Sequence, residues 1–253
     1  MFIDTHCHIS YEYYDDIDKI IIDNKDANVL KMIVSGCDTK SIHEVISLID
    51  NYESLYATIG YHPSEVEKVT DDDLKCLKDY FFSNKKIIGI GEIGLDYYYG
   101  KNDKEKQIIL FEKQLKIAEE LNLPVVIHSR DAVYDTINIL QKYKVTGIIH
   151  CFSGSVETAN IYINMGYKLG IGGVVTFKNS KLYETISNIE LNDIVLETDS
   201  PYLTPEPFRG TINSSKYIPI IAKKIAEIKE VSVDDVQRVT TNNVINLFRG
   251  IVV

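Results

Sequence analysis

A chain of 253 residues, 45% apolar and 25% charged, with 14 Gly and 6 Pro, has a globular composition and enough length for a sizeable core. This excludes a disordered, collagenous or coiled-coil chain. A formal net charge of −10 gives no global positive field for nucleic acid or an anionic membrane, so a polyanionic substrate has to be held locally, for instance by carboxylate-bound divalent cations.

The 4 cysteines form no C-x-x-C pair and are too sparse for a disulfide scaffold. No segment approaches ~18 consecutive apolar residues, and MFIDTHCHIS lacks the pattern of a cleaved leader. The chain reads as cytoplasmic, with packed free thiols and no membrane partner.

Apolar runs rich in Ile and Val begin at Phe2, Leu30, Leu55, Ile87, Pro124, Thr146, Lys168 and Ile194, giving eight expected strands. Helical spacing fills the gaps between them. Thr70 is a start signal before DDDLKCLKDYFF, and a long helix is expected from about Asp103 to Asn122. In it Ile108, Phe111, Leu115, Ala118 and Leu121 recur every three or four residues as the core face.

Strands alternating with helices imply parallel pairing and right-handed crossovers. Eight such units in 253 residues fit a (β/α)8 TIM barrel, an α/β fold, better than a doubly wound sheet. No linker, low-complexity tract or repeat divides the chain, so residues 1–253 are expected to form a single domain. A polar, proline-containing loop after Pro201 precedes two additional C-terminal helices, from about Ser214 and Val233. It overhangs the C-terminal strand ends, where barrel active sites are built.

Those strand ends carry the chemistry. His6 and His8 share one face of the first strand by alternation, while Thr5 and Cys7 face the other way. Strands four, five, six and eight end in GIGEIGLD, VVIHSRD, GIIHCFSG and VLETDSPYL, which put Glu92, His128, His150 and Asp199 at their tips. Imidazoles with carboxylates suit Zn²⁺ or Mn²⁺, and open oxygen-rich positions admit Mg²⁺. Four histidines and two carboxylates exceed one tetrahedral site, which points to two divalent metal ions.

Paired ions favour hydrolysis by a metal-activated water, with Asp199 placed to orient that water and take its proton. The alternative for Asp199 is a turn or cap before Ser-Pro. His62 in TIGYHPSE is either a ligand for substrate phosphate or a further ion, or a loop histidine. Cys151 is expected to face outward as a packed thiol, and His43 to lie on a solvated helix face.

Arg130 is expected to contact a substrate phosphate or pair with a nearby carboxylate. Tyr97, Tyr98 and Tyr99 either stack a terminal base or pack as an aromatic loop. Glu197, two residues before Asp199 on the same face, either holds a ligand in place or belongs to a buried polar pair.

Together the segments FIDTHCH, TIGYHP, IGEIGLDYY, PVVIHSRDA, GIIHCFSG and VLETDSPYL resemble the TatD family of metal-dependent deoxyribonucleases, nearly end to end. The resemblance implies one ion on His6, His8 and Asp199, a second on His128 and His150, and Glu92 as a carboxylate shared by both. It also implies a 3′→5′ exonuclease acting on DNA; the expected substrate is single-stranded DNA or 3′ ends, and no obligate protein partner is expected. Glutamate at position 92, where many related binuclear hydrolases carry a carboxylated lysine, fits that family.

Hydrolysis of another small ester, cyclic amide or phosphoester is the alternative; a non-catalytic binding protein is a third reading, disfavoured by the full ligand set. After strand eight the family pattern R-G-x-R-N-x-P is met by Arg209 and Asn213, expected to bind substrate, whereas Ile212 replaces an arginine. Ile offers no bidentate donor to phosphate. Lys216 is a nearby substitute.

Overall fold

The computed structural model describes residues 1–98 and 103–252. Eight strands lie in one sheet in sequence order: β1 (Phe2–Cys7), β2 (Val29–Gly36), β3 (Leu55–Ile59), β4 (Ile87–Asp96), β5 (Val125–Arg130), β6 (Gly147–Ile149), β7 (Lys168–Ile171) and β8 (Ile194–Leu196). Interleaved with them are α1 (Ile17–Asp26), α2 (Thr39–Asn51), α3 (Asp71–Ser83), α4 (Lys104–Leu121), α5 (Val133–Leu140), α6 (Val156–Asn164) and α7 (Leu182–Asn188). Two further helices, α8 (Ile218–Lys229) and α9 (Val233–Leu247), close the chain. The fold is a (β/α)8 TIM barrel, as the alternation of runs implies.

Strand ends follow the sequence closely. β1 and β4 are buried along their whole length, as expected of parallel strands covered on both faces. The expected start of α3 is present: Thr70 accepts from the Asp73 N–H, and Asp73 answers the Thr70 N–H, a closed capping box.

Helix α4 departs from its expected face. Phe111, Leu115 and Ala118 are buried, but Ile108 and Leu121 are only half-buried, and Gln107 and Gln114 are buried instead. Each glutamine satisfies a backbone segment that water does not reach. Gln114 accepts from the Tyr61 N–H at 2.7 Å and donates to the Tyr61 carbonyl at 3.0 Å. A buried peptide group needs such partners.

The chain partitions into two compact units, Met1–Val34 with Cys151–Leu247, and Ser35–His150 with Phe248–Val253. In the first, Thr5 donates to the Leu196 carbonyl at 3.0 Å, and the Asn243 amide donates to Leu191 and Ile194 carbonyls. In the second, β3 pairs β4, and β4 pairs β5 with Gly94 opposite His128 and Asp96 opposite Arg130. Gly94 has φ 146°, and a Cβ there would lie 1.9 Å from the His128 carbonyl oxygen. Only glycine allows that approach.

Candidate metal centre

In the first unit three donors converge. His6 and His8 face the same side of β1 and its extension, with their Nε2 atoms 3.1 Å apart. Asp199 Oδ1 lies 3.6 Å from His6 Nε2 and 3.4 Å from His8 Nε2. Alternation holds for the residues between: Cys7 turns its thiol to the Ile33 carbonyl at 3.5 Å, and burial pushes that thiol up.

β8 ends at Leu196, so Asp199 sits three residues past the strand. Its N–H donates to the His6 carbonyl at 3.0 Å and its φ is 55°. Aspartate tolerates this left-handed conformation better than most residues. The turn thus aims the carboxylate at the two imidazoles.

Asp4 supports this set through the backbone. It is fully buried, accepts from the His6 N–H at 3.2 Å and the Thr198 N–H at 3.0 Å, and takes the Thr198 hydroxyl at 2.6 Å. Burial raises its carboxyl to about 7, with the hydrogen bonds from Thr198 pulling the other way. Asp4 has the same strand parity as His6 and His8, a signal that the sequence reading passed over.

Glu197 is fully buried and accepts from the Cys151 N–H at 2.6 Å, fixing the turn after β6. A side chain at Gly170 would meet its carboxylate at 2.1 Å. The Cys151 expectation is corrected here: β6 ends at Ile149, alternation lapses, and at φ 47° the thiol comes within 4.8 Å of the Glu197 carboxylate.

In the second unit Glu92, His128, His150 and His62 gather. Glu92 Oε1 is 2.7 Å from His128 Nδ1 and 3.9 Å from both His150 Nε2 and His62 Nε2. Asp96, which the sequence reading did not single out, takes His128 Nε2 at 3.2 Å. It lies four residues after Glu92 on the same face of β4, so period-two alternation carried the signal. Burial depresses the His128 pKa, but the hydrogen bonds to Asp96 and Glu92 outweigh it and hold it at about 9.

His62 caps a short turn at Pro63–Glu65, its Nδ1 2.9 Å from the Ser64 hydroxyl, which leaves Nε2 directed to Glu92. Cys37 Sγ is 3.7 Å from the other Glu92 oxygen.

Each set fits a divalent cation. Two imidazole nitrogens and a carboxylate oxygen around one point is a donor set that Zn²⁺ and Mn²⁺ take, met by His6, His8 and Asp199 through their mutual distances and by Glu92, His128 and His150.

Several candidates for substrate contact fall elsewhere. Tyr97 is 3% exposed, its hydroxyl donates to Asp135 at 2.8 Å and Lys104 covers its ring, so it is a packed residue rather than a base platform. Tyr98 is the exposed neighbour, with the Arg130 guanidinium 4.0 Å from its ring centre. Tyr99 lies outside the described residues.

Asn213 is also corrected: it is fully buried and donates its amide to the Thr198 and Tyr202 carbonyls, pinning the loop after β8. Lys216 is engaged by Asp23 at 2.8 Å on α1. Arg209 is exposed, lying 4.1 Å from the Phe177 ring centre. His43 is exposed on α2, 2.6 Å from the Tyr80 hydroxyl. No helix among the described residues is long and apolar enough to cross a membrane.

Residues 3–249 match the family model described as TatD related DNase. YabD of Bacillus subtilis strain 168, named an uncharacterized metal-dependent hydrolase, is 40% identical over 254 residues, spanning 98% of this chain and 99% of that one. The crystal structure of YJJV, a TatD homologue from Escherichia coli K12, superposes with a TM-score of 0.92 at 31% identity over 98% of both chains. A TatD family hydrolase from Entamoeba histolytica, at 22% identity and a TM-score of 0.89 over 99% of this chain and 98% of that one, shares the fold. The histidine and carboxylate sets on the strand ends therefore sit in a metal-dependent hydrolase, and the chain belongs to the TatD-related DNase family.

Proposed function

We propose that this hydrolase is a phosphodiesterase that removes nucleotides from the 3′ end of DNA, with single-stranded ends as its substrate. The convergence of His6, His8 and Asp199 on one point is the observation that carries the reading. Two divalent ions, Mg²⁺, Mn²⁺ or Zn²⁺, are proposed: one on His6, His8 and Asp199, the other on Glu92, His128 and His150. When bound, such ions supply the Lewis acidity that a phosphodiester displacement needs in a chain of net charge −10.

The residues of the chain do the remaining work. Asp199 accepts the proton of the attacking water, with its backbone fixed on the His6 carbonyl. Asp96 holds the His128 ring at Nε2 and sets its orientation, with Nδ1 on the side of Glu92. His62 and Arg130 are proposed contacts for substrate phosphate, and exposed Arg209 a further one. Ile212, 61% exposed, gives no such contact, so long duplexes are expected to bind weakly.

A 5′-labelled single-stranded oligodeoxynucleotide tests the reading. With Mn²⁺ or Mg²⁺ it should shorten stepwise from its 3′ end, and EDTA should stop this. Intact oligonucleotide, alongside turnover of a small carboxylic ester or lactone by the same metal-loaded protein, would replace the nuclease reading with that of a small-ester hydrolase.

A further inference from the structure

Two loops of the first unit, those following β1 and β8, bring aromatic side chains beside His8. Tyr202 is 49% exposed although its backbone is immobilised: its N–H donates to the Asp199 carbonyl at 2.9 Å, and its carbonyl accepts from the Asn213 amide. Its ring centre lies 6.3 Å from that of His8 at 64°, and 5.9 Å from that of Tyr13 at 71°. The Tyr13 and Tyr202 hydroxyls are hydrogen-bonded at 2.9 Å. Neither neighbour lies parallel to the Tyr202 ring, so neither covers it by stacking.

The same two loops carry further exposed apolar side chains, with Arg209 exposed among them. Tyr11 in the first loop is 64% exposed, and Phe208 and Ile212 in the second are 41% and 61% exposed. Ile212 occupies the position where the family pattern carries an arginine. Tyr202 therefore offers a π face beside His8, and Ile212 offers apolar surface where a phosphate clamp would need a guanidinium.

The geometry points to Tyr202, braced by Tyr13, as the stacking platform for the base of the terminal nucleotide: a nucleobase subsite directly beside His8. It rests on the phosphodiesterase reading above. Every base has a π face, so such a platform senses that a base is present, not which base it is. A fixed backbone and a hydroxyl brace make the ring rigid, which limits the ordering cost when a base docks. Tyr202 then positions the departing nucleotide with its phosphate beside the His6, His8 and Asp199 set.

The test compares two 5′-labelled oligonucleotides, identical except that one ends in an abasic tetrahydrofuran residue, on wild type, Tyr202→Ala and Tyr202→Phe. Wild type should prefer the base-bearing end by about tenfold or more in kcat/KM. Tyr202→Ala should bring that ratio towards one, mainly through KM, and Tyr202→Phe should keep it, since the ring remains. Equal ratios in wild type and Tyr202→Ala overturn the subsite while leaving the nuclease reading intact.

A second readout does not require turnover. Calorimetric binding of thymidine 5′-monophosphate should exceed that of deoxyribose 5-phosphate in wild type and not in Tyr202→Ala. If wild type cuts neither oligonucleotide, the phosphodiesterase reading fails, and equal binding of the two monophosphates then rejects the subsite as well.

Discussion

Gln107 brackets the backbone of Asp96 with its side-chain amide: Oε1 accepts from the Asp96 N–H and Nε2 donates to the Asp96 carbonyl, each at 2.9 Å. Asp96 in turn holds His128 Nε2. A residue on α4 thus fixes the carboxylate that orients a proposed metal ligand. Gln107→Leu should strand a buried N–H and carbonyl, costing about 1–3 kcal/mol per group. Partners of this kind typically change metal affinity about 10- to 100-fold, which competition with a fluorescent chelator measures. Gln107→Glu keeps only the acceptor and should fall between the two.

Asp199 is both a proposed ligand and the proposed proton acceptor, and its φ of 55° suits Asn as well as Asp. Asp199→Asn should therefore retain the circular dichroism and melting profile of metal-free wild type while hydrolysis drops by about a hundredfold or more. Residual activity near wild type would assign the proton transfer elsewhere.

Metal loading should depend on pH in a definite direction. An imidazole must be neutral to bind a metal, so protons and cations compete, and affinity falls as pH drops through the ordinary histidine value of about 6.5. His128, held protonated up to about 9 by Asp96 and Glu92, adds proton release at higher pH. Calorimetry of Mn²⁺ binding at pH 8 in two buffers of different ionisation enthalpy should show protons released. Identical heats in the two buffers would contradict this. Metal at about 100 times its Kd should raise stability by about 2.7 kcal/mol, reversed by chelator.

Ile212→Arg should restore a phosphate donor on the loop after β8. The expected result is tighter binding of single-stranded DNA, with a salt dependence steeper by roughly one unit of log–log slope. Asn213→Ala, by contrast, should lower stability by about 1–3 kcal/mol, because Asn213 secures the Thr198 and Tyr202 carbonyls.

Gly94→Ala places a methyl group 1.9 Å from the His128 carbonyl oxygen at φ 146°. Denaturant unfolding should show a loss of about 3 kcal/mol or more, since neither β4 nor β5 can move away without breaking their pairing.

Much of this was legible in the sequence because buried parallel strands announce themselves as Ile- and Val-rich runs, and histidines at their ends stand out. Asp96 was not, although parity with Glu92 pointed to it. Gln107 and Gln114 escaped because helical periodicity assigns polar residues to solvent, whereas here the needs of buried backbone groups at Asp96 and Tyr61 decide. Tyr97 and Tyr98 show the limit of reading neighbours alike: one is packed and the next is exposed. Asn213 matches the family pattern by position, but its role in fixing the loop depends on Thr198 and Tyr202, which only the fold brings to it.

Anomalous diffraction from crystals soaked in Mn²⁺ tests the central claim most directly. The account predicts one peak bounded by His6, His8 and Asp199 and another bounded by Glu92, His128 and His150. Soaked crystals with no peak at either set, in a protein that retains hydrolytic activity, would contradict it.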